Sequence, residues 1–239
     1  MPPRTLDRIL QCQGFGTRRQ CRAMVAGGNV KIGREVVSDP DLSYELENLH
    51  VHVHGTRWRC RARVYLALHK PPGYECSRKP SHHESIFALL PAHLITRGVQ
   101  PAGRLDQDSS GLLLLSDDGA FLHSISSPKR HVAKTYSVTT RDAVTPGLVH
   151  RLREGVRLRG EAHTTAAMAC HRVNARRLEL KIAQGKYHQV KRMIAAAGTS
   201  CEALHRIAIG GLRLDSLDIE AGQWCDILPD QVDHAHVGP

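Results

Sequence analysis

Apolar positions along the chain recur at two periods, 3.6 and 2, and the changes between them mark its elements. Leu6, Ile9 and Leu10 have the i, i+3, i+4 spacing of a short helix, with Thr5 in position to cap it. Gly14 and Gly16 break that helix, and Thr17 with Gln20 has the spacing of a capping box for a second. Cys21, Met24 and Val25 form its apolar stripe, and Gly27-Gly28 ends it. Short strands are expected at 30–33, 35–37 and 50–54. Residues 56–63, TRWRCRAR, read as a basic linker.

A strand at 64–68 stops at Lys70-Pro71-Pro72-Gly73, because proline cannot serve a central ladder. A polar loop at 77–85 and a short apolar helix or turn at 86–90 follow. Leu112 to Leu115 are too few for a membrane span and suit a strand buried on both faces. Asp117-Asp118-Gly119 has hairpin-turn chemistry. A short helix at 121–125 is ended by a basic turn at 128–131. The strand at 134–139 puts Tyr136 and Val138 on one face, and a helix at 143–155 turns Leu148 and Leu152 inward. In the strand at 176–183, Leu178, Leu180 and Ile182 share a face. From 188 to 197 the period is again helical, with Val190, Met193, Ile194 and Ala197 as the core stripe and Gly198 as the stop. Strands at 206–209 and 224–227 precede a loose tail over the last ten residues. The pattern divides the chain into a small α/β unit at 1–60 and a larger domain of mixed helices and strands, α+β, at 61–239.

Charge sharpens this picture. The 239 residues carry a formal net charge of +10, so the surface should attract polyanions. Up to Arg34 the basic residues are Arg4, Arg8, Arg18, Arg19, Arg22, Lys31 and Arg34, against Asp7 as the only acid. A charge run is usually a solvated face, but this density repels itself unless a polyanion is expected. The seven cysteines are odd in number and form no CxxC, which argues against a zinc ribbon or a disulfide framework. His50, His52 and His54 alternate on one strand face, read as solvated rather than as a metal site. No apolar run reaches membrane-spanning length and no signal peptide is evident, so a soluble, cytoplasmic protein is expected, and a monomer because nothing in the sequence suggests a symmetric interface.

The stretch from Pro101 to Gly119, PAGRLDQDSSGLLLLSDDG, combines an acidic loop with a core strand. A carboxylate on a loop braced by rigid core is a common place for chemistry. Asp106 is a candidate, although Asp beside Gly and Ser is often a turn or cap residue. Turning 100° per residue from Val190 puts Lys191 on the shoulder of the helix stripe and Arg192 nearly opposite the core. Lys191 is then the one to enter a pocket, and Arg192 faces solvent or a phosphate. Both also read as ordinary surface cations.

Three stretches in order carry a resemblance: Gly103-Arg104-Leu105-Asp106 with Ser109-Ser110-Gly111-Leu112-Leu113, then Lys134-Thr135-Tyr136, then Gly185 to Met193, GKYHQVKRM. Lys70-Pro71-Pro72-Gly73 and Leu204 to Gly211, LHRIAIGG, fit as well. Together they resemble the bacterial small-ribosomal-subunit group of pseudouridine synthases. Residues 3–50 resemble the RNA-binding module of the ribosomal protein S4 family. The Tyr-His-Gln-Val-Lys-Arg-Met form is similar to members acting on 16S rather than 23S ribosomal RNA. Ile207-Ala208-Ile209 departs from the Glu-Arg-Ile more usual in the group, and the third-motif leucine is Leu204 or Leu212.

The resemblance implies an α+β catalytic domain with a largely antiparallel sheet and the site in a central cleft, and isomerisation of uridine to pseudouridine with no redox step, no cofactor and no metal. The RNA is free or within a pre-ribosomal small-subunit particle, and no membrane is involved. It makes Asp106 the catalytic carboxylate, ionised in a dry pocket, acting by covalent attack or by taking a sugar proton. Lys191 is the cation beside it. Tyr136 packs on the flipped uracil, and Arg104 fills the gap left in the RNA stack. Arg18, Arg19, Arg22, Lys31, Lys134, His188 and Arg192 are the further RNA-binding candidates. The nearer alternative is the same reaction on 23S ribosomal RNA, and the reading from another class is a catalytically silent RNA-binding or ribosome-assembly factor.

Overall fold

In the computed structural model, which describes residues 2–127, 130–228 and 231, the capping box at Thr17 forms in both directions. The Gln20 amide donates to Thr17 Oγ1, and the Thr17 amide donates to Gln20 Oε1 at 2.8 Å. The expected basic turn at 128–131 and tail at 230–239 lie largely outside the described residues. Helices α1 (Leu6–Cys12) and α2 (Arg18–Ala26) bury Leu6, Ile9, Leu10, Cys21 and Val25 completely. Strands β1 (Val30–Ile32), β2 (Glu35–Val36), β3 (His50–Val53) and β4 (Thr56–Arg59) form an antiparallel sheet in the order β2-β1-β3-β4. On β3, Val51 and Val53 face the core while His50 and His52 face outward.

The basic stretch expected as a linker begins as strand β4. His54 at φ 48° and Gly55 at φ 81° supply the two left-handed residues of a tight hairpin, and Thr56–Arg59 returns along β3. Arginines at alternate positions hid a strand whose Trp58 packs against the core of this unit.

Chain contacts divide the molecule into two compact units, residues 1–64 with 90–100, and residues 65–89 with 101–239. The single boundary expected at residue 60 therefore gives way to a chain that returns to the first unit. The returning segment carries helix α3 (Ala92–Arg97), which the periodicity did not reveal. His93 of α3 stacks on Phe15 at 4.7 Å and meets Trp58 edge-on at 4.3 Å. Burial, then Arg97 and Arg61, push its imidazole down to about 4, so it packs as a neutral ring. Arg97 donates to Gln13 Oε1 at 2.6 Å and to the Arg61 carbonyl at 2.9 Å.

The second unit is built on one sheet. Its strands are β5 (Tyr65–Lys70), β6 (Ser110–Ser116), β7 (Lys134–Thr140), β8 (Ala169–Arg172), β9 (Arg177–Ile182), β10 (Cys201–Ile209) and β11 (Trp224–Asp226). Their order is β8-β9-β7-β10-β6-β5-β11, and in this row only β6 and β10 run parallel. Leu112 to Leu115 are fully buried on β6, between β5 and β10. Gly111 pairs with Arg206 at the β6–β10 crossing, with φ 109°, and a Cβ there would overlap the Arg206 backbone.

The Asp117-Asp118-Gly119 turn does not make a hairpin. Asp118 caps α4 (Gly119–Ser126), its Oδ1 accepting from the Ala120 amide at 2.9 Å. An aspartate followed by glycine has the same local chemistry in either role, and the apolar residues after it decide for helix. Helices α5 (Pro146–Glu154) and α6 (Gln189–Ala196) pack Leu148, Leu152, Val190, Met193 and Ile194 against Val138, Leu178, Leu180 and Ile182. Among the described residues, no helix is long and apolar enough to cross a membrane.

Candidate active site

Asp106 lies on the loop that leads into β6, and a buried ammonium shapes that loop. Lys70, at the end of β5 and 0% exposed, donates to the carbonyl oxygens of Pro71, Asp106, Gln107 and Ser109 at 3.0, 3.1, 3.3 and 2.7 Å. An ammonium has three protons, so four acceptors saturate it and share a donor. Burial lowers the pKa of Lys70. The Gly73 amide donates to the Gln107 carbonyl at 2.7 Å, and the Ser109 amide to the Asp106 carbonyl at 3.1 Å. The Pro-Pro-Gly turn after β5 and the Asp106 loop are thus tied to one another.

Helix α6 brings the counter-charge. Lys191 Nζ is 3.1 Å from Asp106 Oδ2 and 2.6 Å from Asp108 Oδ1. Burial works against the Lys191 ammonium, but its bonds to Asp108 and Asp106 prevail and raise its pKa. Burial likewise works to raise Asp108, and Lys191 overcomes it, leaving that carboxyl below its usual range. His188, held in the left-handed region at φ 47° where α6 starts, puts Nε2 3.2 Å from Asp106 Oδ1. The two oxygens of Asp106 therefore face Lys191 and His188 respectively. Tyr187 stacks on His188 at 3.8 Å and stands 71% exposed.

A cavity of about 120 Å³ opens beside this pair. Leu105, Tyr136, Ile182, Val190 and Leu204 form its apolar wall, and Arg104, Asp106, Lys134, His188 and Arg206 its polar one. At about 30 Å³ per water molecule, the volume holds roughly four waters, room for one flat ring. Tyr136 is 7% exposed and sits opposite Leu180 on β9 and Arg206 on β10, where a register shift follows Thr135. A larger cleft of about 540 Å³, lined by His69, Ser137, Glu179 and His205, lies on the opposite face of the sheet, as strand alternation from Tyr136 to Ser137 requires.

Of the residues expected from sequence, Asp106, Tyr136, Arg104, Lys134 and His188 line this cavity, and Lys191 touches Asp106. Leu204 lines it, whereas Leu212 packs in a separate core cluster. The Asp106 side chain is 29% exposed, more open than the dry pocket expected. Lys134 is not a surface cation. It is 9% exposed and donates to the Ile125 and Val132 carbonyls at 3.2 and 3.0 Å. Burial and then Arg206 bring its ammonium down to about 8. Arg192 does not stand free either, since it donates to the Arg159 carbonyl at 2.6 Å and lies 3.6 Å from Glu161.

In the first unit, Arg18 and Arg22 bond the fully buried carboxylate of Asp7 at 2.7 and 3.0 Å, and Arg22 also bonds Asp41. Arg19 and Lys31 are exposed. Sequence reasoning gave no role to Lys70, Asp108 or Arg206. Asp108 had a signal, a second carboxylate two residues from the first. Lys70 and Arg206 had only their place in two stretches that fit the resemblance, Lys70-Pro71-Pro72-Gly73 and Leu204 to Gly211, with no role attached. Among the described residues, no three His, Cys, Asp or Glu side chains come together as a metal site.

Residues 64–196 match the family model described as RNA pseudouridylate synthase. Ribosomal small subunit pseudouridine synthase A of Vibrio vulnificus (strain CMCP6) is 36% identical over 231 residues, covering 95% of this chain and 97% of that protein. The protein of the same name from Escherichia coli (strain K12) is 32% identical over 235 residues, with 95% and 97% covered. A crystal structure of a pseudouridylate synthase is similar at a TM-score of 0.68 and 32% identity, covering 97% of this chain and 99% of that one.

The Lys70 ammonium should be indispensable to the loop. Lys70→Met keeps the length of the side chain but removes the donor that four backbone carbonyls share, the buried Ser109 carbonyl among them, at a cost of about 2 kcal/mol or more. Urea unfolding should show that loss, and hydrogen exchange at the Gly73 and Ser109 amides should speed up. A variant as stable and as protected as the native chain would show that the ammonium does not hold the loop.

Proposed function

The chain belongs to the RNA pseudouridylate synthase family, and from that premise we propose that it isomerises a uridine of 16S ribosomal RNA, with Asp106 as its catalytic carboxylate. The relatives named for the small ribosomal subunit support the substrate. One observation carries the assignment of Asp106: its carboxylate is held between Lys191 and His188 at the edge of a ring-sized cavity that Tyr136 lines.

The reaction breaks the bond from ribose C1′ to base N1, turns the base and joins C1′ to base C5. The C5 proton leaves and N1 gains one, so the product is an isomer of the substrate. Asp106 serves either by attacking C1′ or by taking the sugar proton at C2′, and both routes need it ionised. A lysine ammonium in contact favours the anion. The target base must first leave its helix, at a cost of a few kcal/mol. Packing on an aromatic ring returns roughly 1–3 kcal/mol, the part proposed for Tyr136. Arg104 is exposed at the cavity rim, which supports a place for it in the vacated RNA stack. The first unit is proposed to grip the surrounding RNA through its exposed cations, Arg19 and Lys31 among them.

Two experiments test this reading. Unmodified 16S and 23S transcripts and assembled small-subunit particles are incubated with the protein, and pseudouridine is mapped by carbodiimide-blocked reverse transcription. The native chain should create a new stop in 16S RNA, free or in the particle. Asp106→Asn should create none while still binding the RNA. A stop confined to 23S RNA would move the substrate, and a stop made by Asp106→Asn would remove that residue from its role. In the second, RNA affinity is followed against salt. Arg19→Ala with Lys31→Ala should flatten the log–log slope by roughly 2, about one for each phosphate no longer neutralised. An unchanged slope would mean that these side chains do not meet phosphate.

A further inference from the structure

Arg206 is 2% exposed and lines the cavity beside Asp106, yet among the described residues no carboxylate pairs with it. Its Nε donates to the Leu112 carbonyl at 2.7 Å and its Nη1 to the Arg104 carbonyl at 3.4 Å. Its Nη2 is buried and has no partner among the described residues. A buried unpaired N–H is costly, and more so on a charged group, so its persistence calls for an explanation. Lys134, the other buried cation on this wall, likewise bonds neutral carbonyls and no carboxylate among the described residues. The carboxylate in the cavity wall, Asp106, already has Lys191 against it. The wall therefore holds more positive charge than the chain itself balances.

We propose that Arg206 is a further catalytic residue, whose Nη2 donates to a ring oxygen of the uracil and holds the detached base as an anion. The inference rests on the isomerisation proposed above. When the C1′–N1 bond breaks, its electron pair goes to the base, whichever route Asp106 takes. The uracilate carries that charge over N1 and the two carbonyl oxygens until C5 bonds to C1′ and the C5 proton leaves. A fixed donor facing that charge stabilises it without reorganisation. The apolar residues beside Arg206 admit a ring, and Tyr136 on the neighbouring strand is its direct cross-strand partner, so both side chains bear on the same base. Gly111 keeps β6 close enough to pair with the Arg206 backbone, which fixes where that guanidinium is aimed.

The test pairs variants with altered substrates. Once the native chain has mapped its uridine, RNAs carrying 2-thiouridine or 4-thiouridine at that position are compared with the ordinary RNA in single turnover. Sulfur is the poorer acceptor. The native rate should fall about tenfold or more on one thio substrate, at saturating RNA. Arg206→Gln should be slower by about 10²-fold on the ordinary RNA, the usual effect of removing one such donor, and should lose nothing further on that thio RNA. Arg206→Lys, which keeps the charge, should recover part of the rate. A merely structural arginine would leave the oxygen-to-sulfur loss the same in native and variant, and that result overturns the inference. So does a native rate indifferent to both substitutions, which needs no variant to fold. A native chain inactive on every ribosomal RNA would instead overturn the proposed reaction, and this inference with it.

Discussion

The ammonium of Lys191 joins two parts of the second unit that the chain brings together from 85 residues apart, Asp106 on a loop and Lys191 on a helix. Two unit charges at about 4 Å and an effective dielectric of 20 attract by roughly 4 kcal/mol, less where solvent screens them at the cavity mouth. That attraction holds the carboxylate against the ammonium beside an apolar wall. It also sets the geometry, because Lys191 touches Asp108 as well and His188 approaches the other oxygen of Asp106. A carboxylate touched on both oxygens cannot rotate freely.

The support behind the pair follows a consistent rule. Lys70, Lys134 and Arg206 are buried cations, and each is held by backbone carbonyls. Carbonyls accept from these groups without cancelling their charge, and Nη2 of Arg206 is left without a partner among the described residues. Buried salt bridges would have neutralised the interior, whereas carbonyl cages keep it positive. For a protein whose proposed substrate is RNA and whose proposed intermediate is an anionic base, a positive interior serves binding and chemistry alike. The cages are also rigid, since each joins a strand to a loop or to the neighbouring strand and pins both.

Much of the site was legible in the sequence because it depends on period. The 100° turn of a helix placed Lys191 beside the core stripe, and it does point towards Asp106. Strand alternation placed Tyr136 with Val138 on one face, and both are buried there. What escaped depends on long-range partners. Lys70 acts on carbonyls 36 to 39 residues further on, and no local pattern announces that. Lys134 was expected to meet RNA, and its carbonyl partners draw its ammonium inside. Asp118 chose helix over hairpin on the strength of residues beyond its own turn. Strand β4 was hidden by arginines on its exposed side, and α3 is too short to show a period. Arg18 and Arg22 illustrate the reverse error, since a charge run that reads as free for a polyanion is partly spent on the buried Asp7.

The most direct measurement is tritium release from 16S RNA labelled at uracil C5, since forming the new bond expels that hydrogen to water. It compares native protein with Lys191→Met, a substitution that keeps bulk and removes charge. The expected result is release by the native chain and a rate about 10²–10³-fold lower for the variant, in keeping with the loss of a few kcal/mol of charge stabilisation at normal RNA binding. Equal release by the two would contradict the dependence of Asp106 on its lysine.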